Sequence, residues 1–366
     1  MRVLICAGGT GGGVYPALAV HKALQAARPE MEFLWVGGEG GMEARLVERA
    51  GIPFKTIPAA GVHGVELSHL PGNIATILRG TKIAGSILAE FQPDVLFFTG
   101  GYVAVPVALA GRKIPSLLYV PDIEPGLALK ALAYFASCIT VTSEESKQYF
   151  SPNAKVVVTG YPVRADLTNW TKADARDHFA IKSNLPVVLV FGGSKGAHSI
   201  NLALHAHLST LLEHVEVIHI SGELDWSAVG EILTRLPRAQ WERYHAFPYL
   251  HEDMGAALAV ADLAVSRAGA SVLGEFPQFA LPAILVPYPY AWRYQKINAD
   301  ALAKRGAALM IEDAKLKSGL YLTIEKLLET PEKLDAMRAA MIAMRSPNAA
   351  EDIAAQLLKL AGDKHD

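Results

Sequence analysis

Two stretches of this chain carry one device. In "RVLICAGGTGGG" (residues 2–13) and "VVLVFGGSKGA" (187–197), an apolar run ends in a glycine pair, a hydroxyl residue and further glycine. A helical pattern follows each, "YPALAVHKALQAA" and "AHSINLALHAHL". An apolar strand that turns sharply into a helix is the starting block of a doubly wound α/β sheet. Its duplication predicts two such sheets in one chain.

Bare backbone at that corner has two uses. It makes a tight turn for strand and helix to pack, or it offers N–H groups and the positive end of a helix dipole to an anion. Gly8, Gly9, Gly11, Gly12 and Gly13 around Thr10, echoed by Gly192, Gly193 and Gly196, exceed what a turn needs and point to phosphate. Pro16 is expected in the first turn of its helix, where a missing N–H costs little.

The rest of the chain repeats the alternation. "EFLWVGG", "PDVLFFTGG" and "PSLLYV" are each followed by a helical pattern, and "CITVT" and "KVVVTG" close the first half. "VEVIHISG", "YHAFPYL", "DLAVSRAG" and "PAILVPYP" supply strands in the second half. Uninterrupted apolar strands joined through helices belong to parallel sheets covered on both faces. The length of 366 residues also suits two domains. The expected boundaries are 1–163 and 164–345, hinged near 160–164, with 346–366 a C-terminal helix packing back toward the first domain. The fold class is α/β, with two doubly wound, Rossmann-like domains facing across a cleft.

With 51% hydrophobic and 19% charged residues, the composition is that of a globular chain, and a net charge of −2 gives no global pull toward nucleic acid. Two cysteines, Cys6 and Cys138, make neither a disulfide framework nor a metal knuckle; both sit in apolar runs as expected buried thiols. No signal peptide is read at the start, and no apolar run is long enough to span a bilayer. A reducing, cytosolic setting is expected.

The phosphate ligand is narrowed by what is missing. Gly9-Thr10-Gly11 lacks the third glycine of G-x-G-x-x-G, and the second strand ends in glycines rather than an acid, which speaks against NAD. No G-K-[ST] follows either loop. A third loop, "TGGYVAVP" (99–106), adds Gly100, Gly101 and Tyr102. Three such loops suit two phosphate-bearing ligands, the requirement of a transferase. Without a D-x-D metal motif or any expected cofactor, leaving-group charge falls to N–H groups and cations, with Lys195 and Arg164 as candidates; Arg164 also suits a hinge salt bridge. Small residues at 268–271 allow close backbone approach at a helix start. Glu275, about a turn further on, suits either the two hydroxyls of a ribose or a dipole-favoured surface position. Gln295 and Asn298 share a helix face that either reaches sugar hydroxyls or lines a polar interface.

These motifs, in order, resemble the MurG family over nearly the whole chain. "GGTGGGVYPALA" is similar to the family's GGTGGHxxPALA loop, and "GMEARLVERAGI", "TGGYVAVP", "PGLALKALA", "TGYPVR", "GGSKGAHSIN", "AGASVLGEF" and "YQKINA" follow. The resemblance implies a GT-B glycosyltransferase that moves N-acetylglucosamine from UDP-N-acetylglucosamine to lipid I, forming lipid II for peptidoglycan. On that reading Thr10, Gly11 and Gly12 line the phosphates, and Gly8, Gly9, Gly100, Gly101 and Tyr102 form the acceptor diphosphate loops. Arg164, Ser194 and Lys195 meet the donor sugar or diphosphate, and Leu250 helps hold uracil. Ala270, Ser271, Val272, Leu273, Gly274 and Glu275 hold the UDP ribose and phosphates, and Gln295 meets the transferred sugar.

Several positions depart from the family pattern. Gly13 stands where the family usually has His, Lys195 where Gln is usual, and Tyr161 replaces the Asn of N-P-V-R. Tyr119, Val120, Pro121 and Asp122 replace H-E-Q-N, with Asp122 at the donor-contacting Asn. The implied reaction inverts the anomeric centre as the acceptor C4 hydroxyl attacks C1. Candidate bases are Asp122, then Glu124, then His63, or deprotonation is late and needs no strong base. The polyprenyl acceptor implies an anionic membrane surface as partner, at the cytoplasmic face of the plasma membrane. Ile74, Ile77, Leu78 and Ile87, near Arg79, Lys82 and the "GRK" at 111–113, are its expected contact. Alternatives are transfer to another lipid such as diacylglycerol, and a UDP-N-acetylglucosamine epimerase of the same fold.

Overall fold

The computed structural model describes the chain apart from Thr10, Met42, 62–68, 194–195, 291–292 and 363–366. It divides into two compact units, Met1–Arg164 with Ser346–Asp366, and Ala165–Arg345. The break falls one residue beyond the expected one, so Arg164 belongs to the first unit.

Among the described residues, the first unit holds a seven-stranded sheet in the order β3-β2-β1-β4-β5-β6-β7, parallel throughout. The strands are β1 (Arg2–Ala7), β2 (Glu32–Gly38), β3 (Phe54–Ile57), β4 (Val95–Gly100), β5 (Ser116–Val120), β6 (Cys138–Val141) and β7 (Val156–Val158). Helices α1 (Gly11–Ala27), α2 (Glu43–Arg49), α3 (Leu70–Phe91), α4 (Ala104–Ala110) and α5 (Leu127–Ala133) connect them. The central strands are buried on both faces, as continuous apolar runs require. Strand order reverses between β1 and β4, and doubly wound sheets bind ligands outside such a switch point. Trp35 ties β2 to the exit of β1 by donating from Nε1 to the Ala7 carbonyl at 2.9 Å.

The second unit repeats the plan. Its sheet runs β10-β9-β8-β11-β12-β13, also parallel. These are β8 (Val187–Phe191), β9 (Glu216–Ile220), β10 (Tyr244–Phe247), β11 (Leu263–Ser266), β12 (Ala283–Leu285) and β13 (Ala308–Met310). The helices are α6 (Lys172–His178), α7 (His198–His205), α8 (Leu208–Leu211), α9 (Trp226–Arg235), α10 (Met254–Val260), α11 (Glu275–Phe279), α12 (Tyr294–Lys304), α13 (Leu316–Leu328) and α14 (Pro331–Ala343). Its switch point lies between β8 and β11.

The chain then returns to the first unit as α15 (Ala349–Gly362), which packs on α1, β4 and β5 with Ile353, Ala354 and Leu357 buried. Gly160 lies against Ser346 at this return, and a Cβ at Gly160 would collide with the serine side chain.

Two sequence expectations change. Pro16 is not in the first turn: α1 starts at Gly11, so the proline sits inside the helix, where its missing N–H leaves the Gly12 carbonyl without that helical bond. Ile87 faces the core on α3 and is no part of a surface patch. Both cysteines are buried, and burial raises both thiols above their ordinary value, with Glu43's charge adding to the effect on Cys6.

Candidate functional site

In the first unit, three loops meet at the switch point. The loop after β1 carries Gly8 and Gly9, and the loop after β4 carries Gly100 and Gly101 at φ +124° and +88°. A Cβ on Gly101 would lie 2.6 Å from the Gly8 carbonyl oxygen, so the two loops pack backbone to backbone. The connection after β2 leads to Glu43, the first residue of α2, which is 1% exposed. Glu43 Oε1 accepts the Gly38 N–H at 2.9 Å, and Oε2 accepts the Gly9 N–H at 3.3 Å. That N–H, expected on the acceptor diphosphate, is turned to a carboxylate. Tyr102 is about half exposed, with its ring against Gly61.

Gly11, Gly12 and Gly13 open α1, and the buried Gly13 faces β4. Arg164 lays its guanidinium over the Tyr15 ring at 4.5 Å, a cation–π contact that holds its cation at the first turns of α1.

Asp122 and Glu124 follow β5 but differ in setting. The Tyr119 hydroxyl and Thr142 Oγ1 are 2.8 Å apart, and Thr142 Oγ1 donates to the Pro121 carbonyl at 2.8 Å. Since the threonine's proton goes to Pro121, Tyr119 is the donor of that pair, and the chain pins the backbone entering Asp122. Burial pushes the Tyr119 phenol up, the Thr142 bond opposes, and the Asp122 charge adds to the rise. Asp122 is half-buried. Glu124 is 1% exposed and ion-paired to Lys130 at 3.1 Å, a setting that suits a brace better than a base. His63 and Thr10 lie outside the described residues, as do Ser194 and Lys195.

In the second unit, the glycine loop after β8 turns through Gly193 and Gly196 at positive φ. Asn201 on α7 donates to the Ser221 carbonyl at 2.8 Å and to Asp225 at 2.7 Å. With its amide protons so used, Asn201 Oδ1 is the acceptor facing His219 Nε2 at 3.0 Å, and His219 Nδ1 accepts from the Tyr244 hydroxyl at 2.7 Å. That assigns a neutral imidazole, and burial holds His219 down to about 3.

The loop after β11 is held from two sides. Arg267 donates to the Val286 carbonyl and to Ser199 Oγ at 2.9 Å, pairs with Asp313, and lies 5.2 Å from the Tyr288 ring. Asn298, fully buried, donates to the Ala268 carbonyl at 3.1 Å. Gln295 Oε1 accepts the Tyr288 N–H at 2.8 Å. Ala270, Val272 and Leu273 are buried, whereas Ser271 and Glu275 keep partly exposed side chains. Leu250 is buried just beyond β10. The sequence reading passed over Arg267, Ser199 and Glu43; the glycine run Gly37, Gly38, Gly40 and Gly41 encloses Glu39, and nothing in it singles out Glu43, two residues beyond.

Residues 3–141 match the glycosyltransferase family 28 N-terminal domain, and residues 187–356 match the family's C-terminal domain. The chain is 39% identical to the UDP-N-acetylglucosamine--N-acetylmuramyl-(pentapeptide) pyrophosphoryl-undecaprenol N-acetylglucosamine transferase of Desulforudis audaxviator, covering 99% of each chain. It is 38% identical to the transferase of that name from Roseiflexus sp., over 97% of this chain and 94% of the relative. The crystal structure of Acinetobacter baumannii MurG superposes with a TM-score of 0.76 at 28% identity, over 98% of this chain and 99% of that one. A UDP-GlcNAc 2-epimerase from Neisseria meningitidis has a TM-score of 0.69 at 17% identity over 98% of this chain and 100% of that one, a likeness of fold. The chain belongs to the MurG family, within glycosyltransferase family 28.

Proposed function

We propose that this chain transfers N-acetylglucosamine from UDP-N-acetylglucosamine to the C4 hydroxyl of an N-acetylmuramoyl-pentapeptide carried on undecaprenyl diphosphate, with inversion and release of UDP. The observation that carries the reading is full-length identity of 38–39% to transferases bearing that name, on a chain whose two sheets each place glycine loops at the switch point.

The donor is assigned to the second unit. Glu275 takes the ribose hydroxyls, the backbone from Ala270 to Gly274 the diphosphate, Leu250 the uracil, and Gln295 the sugar. Ser194 and Lys195 are the remaining donor candidates. Asn298 acts one step back, holding Ala268. The acceptor diphosphate is assigned to the first unit's loops, at Gly11, Gly12, Gly100, Gly101 and Tyr102, with Thr10 among them. Asp122 is the preferred base: it is partly exposed just beyond β5, whereas Glu124 is buried beside Lys130. Arg164 offers a cation for diphosphate charge.

The chain is further proposed to work at the cytoplasmic face of the plasma membrane. No helix among the described residues is long and apolar enough to cross a bilayer. Ile74 and Leu78, 47% and 64% exposed and one turn apart on α3, adjoin Arg79 and Lys82, which suits shallow contact with anionic lipid. Flotation with anionic but not neutral vesicles supports this contact, and its absence from both counts against it. Labelled UDP-N-acetylglucosamine, given lipid I, diacylglycerol or no acceptor, tests the activity. Label entering lipid I supports the proposal; label in diacylglycerol alone, or in an epimeric sugar, replaces it.

A further inference from the structure

Glu43 is a buried carboxylate enclosed by bare backbone. A Cβ on Gly8 would stand 2.5 Å from its Oε1, one on Gly37 would stand 3.0 Å from its Cγ, and one on Gly41 would overlap the carboxylate. Its two oxygens take N–H groups from different loops, Gly38 at the end of β2 and Gly9 after β1. The next contact outward is Gly8 against Gly101, which joins the β4 loop to the same stack. One side chain therefore sets the spacing of three loops at the switch point.

We propose that Glu43 is a positioning residue for the acceptor diphosphate, an inference that rests on the function proposed above. The carboxylate holds the Gly8–Gly9 backbone from beneath and, through Gly8, the Gly100–Gly101 loop. Its charge and its claim on the Gly9 N–H exclude an anion from that side of the loop. The diphosphate is thereby directed to the N–H groups at the start of α1 and in the β4 loop. Every hydrogen-bond partner named for Glu43 lies in the first unit, so acceptor kinetics are affected and donor binding is not.

The full chain tests this by steady-state kinetics with lipid I, with UDP binding measured by calorimetry on each variant. Glu43→Gln puts an amide donor where one N–H needs an acceptor. It is expected to lower kcat/KM for lipid I by about 10- to 100-fold, with UDP affinity unchanged. Gly8→Ala displaces the carboxylate and is expected to cause a similar loss. That loss disappears when Gly8→Ala is added to Glu43→Ala, because the group it displaces is gone. Unchanged lipid I kinetics in Glu43→Gln overturns the proposal, as do losses that multiply in the double variant, or equal loss of UDP binding. If the parent chain transfers nothing to lipid I, the proposed function fails and this inference falls with it. If the parent transfers and Glu43→Gln behaves like it, this inference alone fails.

Discussion

Thr99 donates its hydroxyl to the Gly13 carbonyl at 2.8 Å, joining the tip of β4 to the first turn of α1. A Cβ at position 13 would stand 3.3 Å from the Thr99 carbonyl oxygen. The place where the family usually carries histidine is therefore open only if Thr99 gives by a few tenths of an ångström. Replacing helical glycine by alanine gains up to about 1 kcal/mol, and the tight contact costs about 1–3 kcal/mol. Gly13→Ala is expected to fall within about 2 kcal/mol of the parent by urea denaturation, and Gly13→His to be less stable than Gly13→Ala. A Gly13→His chain more stable than the parent would show that the Thr99 contact is not tight.

Asp122 and Glu124 are separated by the outcome of neutralising each. Asp122→Asn is expected to lower kcat by about 10²- to 10⁴-fold while UDP still binds. Glu124→Gln leaves the chemistry in place and loses the Lys130 pair, costing about 1–3 kcal/mol as a lower urea midpoint. Rate measurements on folded protein distinguish them: a large kcat loss in Glu124→Gln with Asp122→Asn near parental reverses the assignment.

The buried Asn298 amide holds the Ala268 carbonyl, and its loss leaves that carbonyl short of a donor. Asn298→Leu is expected to cost about 1–3 kcal/mol and to raise KM for UDP-N-acetylglucosamine, with the lipid acceptor KM unaffected. A parental KM for the sugar nucleotide would separate this brace from donor binding.

Two buried histidines, His21 and His219, and the half-buried His205 set an acid limit. Burial holds His21 and His205 down to about 4 and His219 to about 3, against an ordinary value of 6.5. The unfolded chain takes up these protons first as pH falls below 6.5, so the stabilisation is complete above 6.5 and is lost between 6.5 and about 4. The urea midpoint is expected to drop steeply from pH 6.5 to 4.5. His21, whose ring meets Phe33 edge-on at 4.4 Å, is the simplest one to remove. His21→Phe is expected to flatten the drop, and an unchanged slope would take His21 out of the account.

The doubly wound architecture was legible because both of its signals are local. Continuous apolar strands report burial on two faces, and each glycine corner marks the start of a sheet. The loops of the candidate site were found by the same corners. Which way a side chain turns was less legible. Glu43 opens a short helix, where an acid reads as dipole-favoured; only the folded loops reveal that it turns inward beneath Gly9. Asn298 shares a helix face with Gln295 by spacing, yet one is fully buried and the other partly exposed. Ile87 continues the apolar pattern of Ile74 and Leu78, but the helix carries it into the core. Glu124 lies two residues from Asp122 and differs through Lys130 on the following helix. Each distinction depends on packing between elements far apart in sequence, which periodicity does not encode.

Everything proposed for this chain depends on sugar transfer to a lipid-linked muramoyl acceptor. Its most direct test is the structure of the product formed from UDP-N-acetylglucosamine and lipid I, read by NMR at the new anomeric proton with UDP release followed alongside. The expected product is one N-acetylglucosamine joined in β linkage to C4 of the muramoyl sugar for each UDP released. UDP release independent of lipid I, an α linkage, or a free epimeric sugar in place of the disaccharide would contradict it.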